Sequence, residues 1–121
     1  SLLRVCALAA QEDSESRETL AAEALKHTAF QSVENEMEAW RVLQRVVGDR
    51  LQEYPTDIAE DRRLLAREED EDMVNVLRLR MGEKEVLMFY QCMARRVLRW
   101  LAGNARGQLT SYEPYALSLP L

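Results

Sequence analysis

Glycine, proline and cysteine are scarce in this chain of 121 residues, which contains 4 glycines, 3 prolines and 2 cysteines. Before residue 103 the only glycines and prolines are Gly48, Pro55 and Gly82. The β-branched residues in the same stretch lie within patterns spaced by three and four. Sheets need period-two alternation and frequent turn residues, so strand signals are nearly absent. The sequence therefore predicts an all-α fold.

Long apolar runs and an excess of positive charge are also missing. No apolar run reaches the roughly 18 residues that a membrane span needs, so membrane insertion is not expected. The net charge of −5, from 16 basic and 21 acidic residues, gives no general attraction to nucleic acid. Cationic groups are instead concentrated within residues 84–106, where Glu85 is the single acidic residue. The end of the last helix is therefore expected to carry a local cationic patch.

The two cysteines, Cys6 and Cys92, lie far apart on amphipathic segments. This favours reduced, buried thiols over a disulfide and an intracellular or organelle-interior location. The chain begins "SLLRVCALAA", without an initiator methionine or the charged start of a signal peptide, which indicates a processed protein or an excised fragment. An apolar fraction of 47% with 31% charged residues is typical of a globular domain.

The apolar spacing predicts a bundle or orthogonal array of about four to five helices. A short apolar segment at 2–10 precedes a helix at 14–29. Ser32 is then expected to cap a helix that ends before Pro55. The apolar face of this helix consists of Val33, Met37, Trp40, Leu43, Val47 and Leu51.

A shorter helix is predicted to follow the Pro55 turn. Asp57, with Glu60 three residues later, resembles a capping box at its start. Its apolar side consists of Ile58, Leu64 and Leu65.

The last predicted helix is the longest, at about 72–102. The acidic run "REEDED" at 67–72 precedes it, where carboxylates favour a helix N-terminus, and a metal site there is not expected. Gly103 is the predicted C-cap. We expect one helical domain at 1–107 and an extended apolar tail at 108–121. The seam predicted to face neighbouring helices consists of Val76, Leu79, Glu83, Val86, Tyr90, Met93, Val97 and Trp100.

A glycine and two charges interrupt this helix within "VLRLRMGEKEVL", residues 76–87. A mid-helix glycine costs about 1 kcal/mol relative to alanine, and a buried unpaired carboxylate costs more. We expect Gly82 to let another backbone approach and Glu83 to accept hydrogen bonds from the Pro55 turn. The alternative leaves Glu83 in solvent with a weak pair to Arg80. The predicted structural lock consists of Tyr54, Pro55, Thr56, Arg80, Gly82 and Glu83.

With these elements in order, the chain resembles the C-terminal helical lobe of the SET-domain protein methyltransferases of the Rubisco large-subunit type. This lobe is called the Rubisco LSMT substrate-binding domain. "LLRVCAL" is similar to the segment that leaves the SET domain, and "SVENEMEAWRVLQRVVGDRLQEYPTDIAEDRRLL" is similar to the helix, turn and acidic-leucine helix of the family. "VLRLRMGEKEVL" matches the arginine and glycine-glutamate-lysine signature of the following long helix.

The resemblance implies that the lobe supports a SET domain and helps to hold a protein substrate. In the family, the SET domain binds S-adenosylmethionine and methylates a lysine or, in one branch, a histidine. This sequence has no counterpart of that catalytic half, and its single histidine, His27, is predicted to be an ordinary surface residue. We therefore expect no cofactor and no methyltransferase activity. The family's link to a chloroplast enzyme implies a plastid, while other members are cytosolic or nuclear.

The resemblance ends at about residue 94, so the arginine patch and the tail are where we expect a specialised role. The tail "QLTSYEPYALSLPL" is too apolar for water, and it either packs on its own domain or docks on a partner. Nucleic-acid binding is not expected, since terminal arginines also complement a helix dipole. The predicted partner-binding residues are Arg95, Arg96, Arg99, Trp100, Arg106, Tyr112, Tyr115 and Leu117.

We therefore predict a non-catalytic protein-interaction module that works with protein partners in a larger complex. One alternative is a structural or accessory subunit of a larger assembly, for instance in a plastid, anchored by the tail. A second alternative is a fragment of an active S-adenosylmethionine-dependent protein methyltransferase.

Overall fold

The structure, a computed structural model, describes residues 14–104 and 109–118. These residues form five helices and no strand, which confirms the all-α prediction. The segment predicted at 2–10, with Cys6, and the predicted partner-binding residue Arg106 lie outside the described residues. The helices are α1 (Ser14–Lys26), α2 (Val33–Gln52), α3 (Ile58–Arg67), α4 (Glu71–Gly103) and α5 (Glu113–Ser118).

Three helices begin at capping side chains, and the sequence predicts the first two of these residues. Ser32 accepts a hydrogen bond from the Asn35 amide at the start of α2, and Asp57 accepts one from the Glu60 amide at the start of α3. Asp70 caps α4 by accepting from the Asp72 amide. These side chains satisfy backbone N–H groups that have no partner within the helix. At the other end of α4, the C-cap is Asn104, one residue after the predicted Gly103.

The core forms mainly between α2 and α4, which pack along much of their length, while α3 covers part of α4 and α5 packs on α1. Trp40 and Val47 are buried on the predicted face of α2, and the remaining members of that face are partly buried around them. Val97 and Leu101 of α4 are completely buried. The apolar side predicted for α3 is wrong in part, since Leu64 is 44% exposed and Asp61 is buried instead.

The predicted seam of α4 is correct in the second half of the helix and wrong in the first. Tyr90, Met93 and Val97 are buried as predicted, but Val76 and Leu79 are 45% and 67% exposed, and Glu83 is exposed. Leu77 and Lys84 occupy the buried positions instead. One residue corresponds to a rotation of about 100° around an α-helix. The first half of α4 packs against α3 as well as α2. Because α3 lies on one side, the buried face of this half is shifted by one residue from the predicted seam.

Residues 112–116 pack on the rest of the domain. Tyr112, Tyr115 and Ala116 are buried, and Glu113–Ser118 is helical. The expectation of an extended tail is therefore corrected for the six residues of α5, where the side chains of Tyr115 and Ala116 are buried against the domain. Cys92 is a free, exposed thiol rather than the buried one predicted, and His27 is exposed. Within the described residues, no helix combines the length and apolar character that crossing a membrane requires.

Candidate functional site

Lys84 is the buried charge of α4, with 2% of its surface exposed. Its Nζ donates hydrogen bonds to Asp61 Oδ2 and to the carbonyl oxygen of Thr56, both at 2.5 Å, and to Thr56 Oγ1 at 3.2 Å. An ammonium group has three N–H donors, so each of them has an acceptor. The buried charge is therefore both paired and fully hydrogen-bonded.

Asp61 of α3 is the counter-ion and is completely buried. Its second oxygen, Oδ1, accepts a hydrogen bond from Thr56 Oγ1 at 2.5 Å. Burial alone would raise the pKa of Asp61, but hydrogen bonds from Lys84 and Thr56, together with the charges of Lys84 and Arg80, hold this pKa below its ordinary value. Asp61 is thus an ionised carboxylate that joins α3, the Pro55 turn and α4.

Tyr54 covers this ion pair from the turn. Its ring centroid lies 5.0 Å from Lys84 Nζ, within the range of a cation–π interaction. Its hydroxyl donates a hydrogen bond to Glu83 Oε2 at 2.6 Å. Burial and this hydrogen bond raise the pKa of the Tyr54 phenol. The turn and α4 therefore meet through two neighbouring residues of α4, one buried and one exposed.

The other residues of the predicted lock have smaller parts. Gly82 does not admit a neighbouring backbone, since a Cβ atom built at this position has no heavy atom within 4 Å. That expectation is corrected: the contact with the backbone of the turn is made by the side chain of Lys84, whose Nζ reaches the Thr56 carbonyl oxygen. Pro55 is exposed. Arg80 forms no ion pair with Glu83 among residues 14–104, and it acts on Asp61 through its charge.

A groove of about 490 Å³ lies over the middle of α4. Its walls come from α1, α3 and α5. Met88, Phe89 and Met93 of α4 supply most of the apolar floor. Charged groups at its edges are Arg17, Glu18, Arg62, Glu85 and Arg96.

Buried hydrogen bonds hold Tyr112, the residue before α5, beside this groove. Tyr112 Oη accepts from Trp40 Nε1 at 2.9 Å and donates to Glu36 Oε1 at 2.5 Å. Burial and the hydrogen bond to Glu36 raise the pKa of the Tyr112 phenol well above its ordinary range. Trp100 packs on the rings of both Tyr112 and Tyr115. Tyr115, carried by α5, therefore forms part of the groove wall.

Comparison with known protein families gives a match that covers the lock. The family model described as Rubisco LSMT substrate-binding matches residues 1–87. The chain belongs to the Rubisco LSMT substrate-binding family. No curated protein and no solved structure shows a significant similarity to the chain. The family match ends three residues after Lys84, so the Lys84–Asp61 pair belongs to the family region and the arginines and tail follow it.

The predicted partner-binding residues fall into two groups in this Rubisco LSMT substrate-binding domain. Arg95, Arg96 and Arg99 are exposed on α4, and Leu117 is 69% exposed. Arg96 lines the groove, and its Nη1 forms an ion pair with Glu18 Oε1 at 3.5 Å. Tyr112 and Tyr115 are buried in the domain itself, and Trp100 is half-buried against them. The side chains of the first group are exposed to solvent, whereas those of the second are buried or half-buried in the domain.

Sequence reasoning missed the three charged residues that are buried in the described part of the chain, Glu36, Asp61 and Lys84. A signal for Asp61 was present, since it lies between Ile58 and Leu65 at spacings of three and four. Lys84 follows Leu77 by seven residues, two helical turns on the same face. Two opposite charges on the apolar faces of neighbouring helices indicate a buried pair. Glu36 gives no such signal, because its partner Tyr112 is 76 residues away.

In the described residues, no group of three or more histidine, cysteine, aspartate or glutamate side chains is arranged to hold a metal ion. The chemistry that the geometry offers is therefore of two kinds: a buried polar lock at Lys84 and an apolar groove with charged edges.

Proposed function

We propose that this chain is a non-catalytic module that binds another polypeptide in its groove. Two observations support the proposal. The chain belongs to a family named for substrate binding, and its groove has an apolar floor beside charged edges. The absence of catalysis is part of the proposal and rests on the family, in which the SET domain performs the chemistry.

The location of the binding site is inferred from the groove alone. Its volume of about 490 Å³ falls within the range of ordinary ligand sites, which are concave and mostly apolar with a few polar groups. Met88 is 45% exposed on this floor. Methionine side chains adapt their shape to a partner and are enriched at the centres of protein interfaces.

The second candidate, an assembly subunit anchored by its tail, has less support. Tyr112 and Tyr115 are buried in their own domain, and Leu117 is the exposed apolar residue of α5. An anchor would need these tyrosines to leave the core and lose their buried contacts. A plastid location follows from the family name alone and stays a part of this proposal.

Selection of peptides tests the proposed function. The full chain is used to select from a phage library of random 20-residue peptides, with counter-selection against the variant Met88→Asp. The matched control is Met73→Asp, because Met73 is also on α4, is also 45% exposed and does not line the groove. Fluorescence anisotropy measures the affinity of each selected peptide for the three proteins, and circular dichroism shows that each variant is folded.

We expect selected peptides to bind the wild type and Met73→Asp equally and to bind Met88→Asp at least about tenfold more weakly, as expected for an interface residue worth about 1.4 kcal/mol. Two results contradict the proposal. One is that no peptide distinguishes wild type from Met88→Asp. The other is that Met73→Asp weakens binding as much as Met88→Asp.

A further inference from the structure

We infer that the partner's binding segment is an amphipathic α-helix with acidic residues along one flank. The inference rests on the proposed function of the groove and deepens it by naming the occupant. It is carried by the length of the groove, by the absence of a sheet edge in the described residues and by the charges beside the groove.

The floor of the groove has the length of a short helix. Its residues on α4 extend from Glu85 to Arg96, which at 1.5 Å per residue is about 16 Å, or three helical turns. The walls contribute small residues, Ala21 and Ala22 from α1 and Ala59 from α3. Small side chains at a contact let helix axes come close. The gap between α1 and α3 therefore suits another helix packed on α4.

A peptide that binds as a strand finds no sheet edge among the described residues. Peptides that bind as strands gain affinity by adding to an exposed sheet edge. Residues 14–104 and 109–118 contain no strand, so they offer no such edge. A helix satisfies its own backbone hydrogen bonds and needs only an apolar surface for three or four anchoring side chains.

The charges beside the groove favour acidic residues on the partner. Arg95 and Arg99 follow Met88 and Cys92 by seven residues, so each lies two turns further along the same face of α4. Arg95, Arg99 and Arg62 are exposed, and none of them forms an ion pair within the described part of the chain.

The acidic groups of the groove offset these arginines only in part. Glu18 is already paired with Arg96, which leaves Glu85 as the acidic group of the groove edge without an ion pair in the described ranges. Carboxylates on the flank that faces Arg95 and Arg99 would complement the uncompensated charge.

The peptides selected on the groove test this inference. Three properties are measured on those that distinguish wild type from Met88→Asp: their net charge, their helicity on binding by circular dichroism, and their affinity for Arg95→Glu/Arg99→Glu. The control variant is Arg41→Glu/Arg45→Glu, which makes the same charge change at two exposed arginines, also four residues apart, on α2, a helix that supplies no groove-lining residue. A 20-base-pair DNA duplex is added as a competitor.

We expect acidic peptides with apolar residues spaced by three and four, which gain helicity on binding. Their affinity should fall about tenfold for Arg95→Glu/Arg99→Glu and remain nearly unchanged for Arg41→Glu/Arg45→Glu, since charge pairs at an interface edge contribute modestly and locally. Basic or extended peptides, equal losses in the two double variants, or displacement of the peptides by DNA would overturn the inference while leaving the proposed groove in place. If no groove-dependent peptide is recovered, the proposed function fails and this inference fails with it.

Discussion

Lys84 stabilises the domain only while a carboxylate is paired with it. A buried ammonium group without a counter-ion still has the desolvation cost but no longer has the electrostatic attraction that offsets this cost. The same holds for Asp61, which is completely buried. Replacing a buried pair by apolar residues is often tolerated, whereas removing one member is not. The pair therefore makes the Pro55 turn, α3 and α4 depend on one another.

The first prediction concerns the removal of one member of this pair. Lys84→Met should lower the free energy of unfolding by about 3–5 kcal/mol, since Asp61 is left buried without its counter-ion. Glu83→Gln is the control. Glu83 is exposed, and the neutral glutamine can still accept the hydrogen bond from Tyr54. The free energy of unfolding should therefore change by less than about 1 kcal/mol. Urea unfolding measures both, and equal losses in the two variants would count against a lock centred on Lys84.

The second prediction concerns pH. The folded-state pKa of Asp61 lies below its ordinary value of 3.8, so the unfolded chain takes up the proton first as the pH falls. The contribution of Asp61 is therefore present above the ordinary value and is lost as the pH falls through the folded-state pKa. The difference in unfolding free energy between wild type and Asp61→Asn should stay constant from about pH 7 to pH 5 and shrink below the ordinary value. A difference that shrinks as the pH rises would mean that the folded-state pKa is raised.

The third prediction concerns Gly82. A methyl group at this position meets no atom within 4 Å, and alanine favours a helix over glycine by about 0.5–1 kcal/mol. Gly82→Ala should therefore raise the free energy of unfolding by about that amount, measured by urea unfolding. A loss of stability would show that the backbone at Gly82 does need the space of glycine.

Among the helices, α5 depends most on contacts that are distant in the sequence. Its own length of six residues is too short for a stable isolated helix. The hydrogen bonds of Tyr112 to Glu36 and Trp40, and the packing of Trp100 on Tyr115, hold this segment in place. The position of Tyr115 in the groove wall therefore depends on the hydroxyl group of Tyr112.

The fourth prediction removes that hydroxyl. Tyr112→Phe leaves Glu36 Oε1 without its donor, while Glu36 Oε2 still accepts from Asn35 Nδ2 at 3.3 Å, and it should lower the free energy of unfolding by about 1–3 kcal/mol. Hydrogen exchange of residues 109–118 should accelerate more than that of α2. Leu117→Ala is the control, because Leu117 is 69% exposed and a surface substitution typically changes stability by less than about 0.5 kcal/mol. Uniform acceleration across the chain would contradict a local role for Tyr112.

Local signals in the sequence predict where the helices of this domain begin and end, but not always which face they bury. Ser32, Asp57 and Asp70 act on amides two or three residues away, so a short window contains all the information. The face of α4 that is buried at Leu77 and Lys84 depends on where α3 lies after the Pro55 turn. That position is a property of packing between helices, and a period of 3.6 residues leaves two neighbouring faces nearly equivalent.

At the scale of the whole molecule, the groove could not be predicted from the sequence. Its lining residues extend from Arg17 to Tyr115 and come from four helices. The exposed arginines were found because they are close together in the sequence, whereas Ala21, Ala59 and Met88 resemble ordinary core residues until the helices are assembled. The family region, residues 1–87, supplies α1, α3 and part of the floor, and the rest of α4 and α5 complete the groove.

A nuclear magnetic resonance titration directly tests whether this groove binds a polypeptide, as we propose. A groove-selected peptide is added to the isotopically labelled full chain, and the chemical-shift changes of the backbone amides are mapped. The account predicts that the largest changes lie at residues 17–22, 58–62 and 85–96, with little change around Val42 and Val46, which are exposed on α2 outside the groove lining. Changes centred on Val42 and Val46, or saturation without changes along residues 85–96, would contradict it.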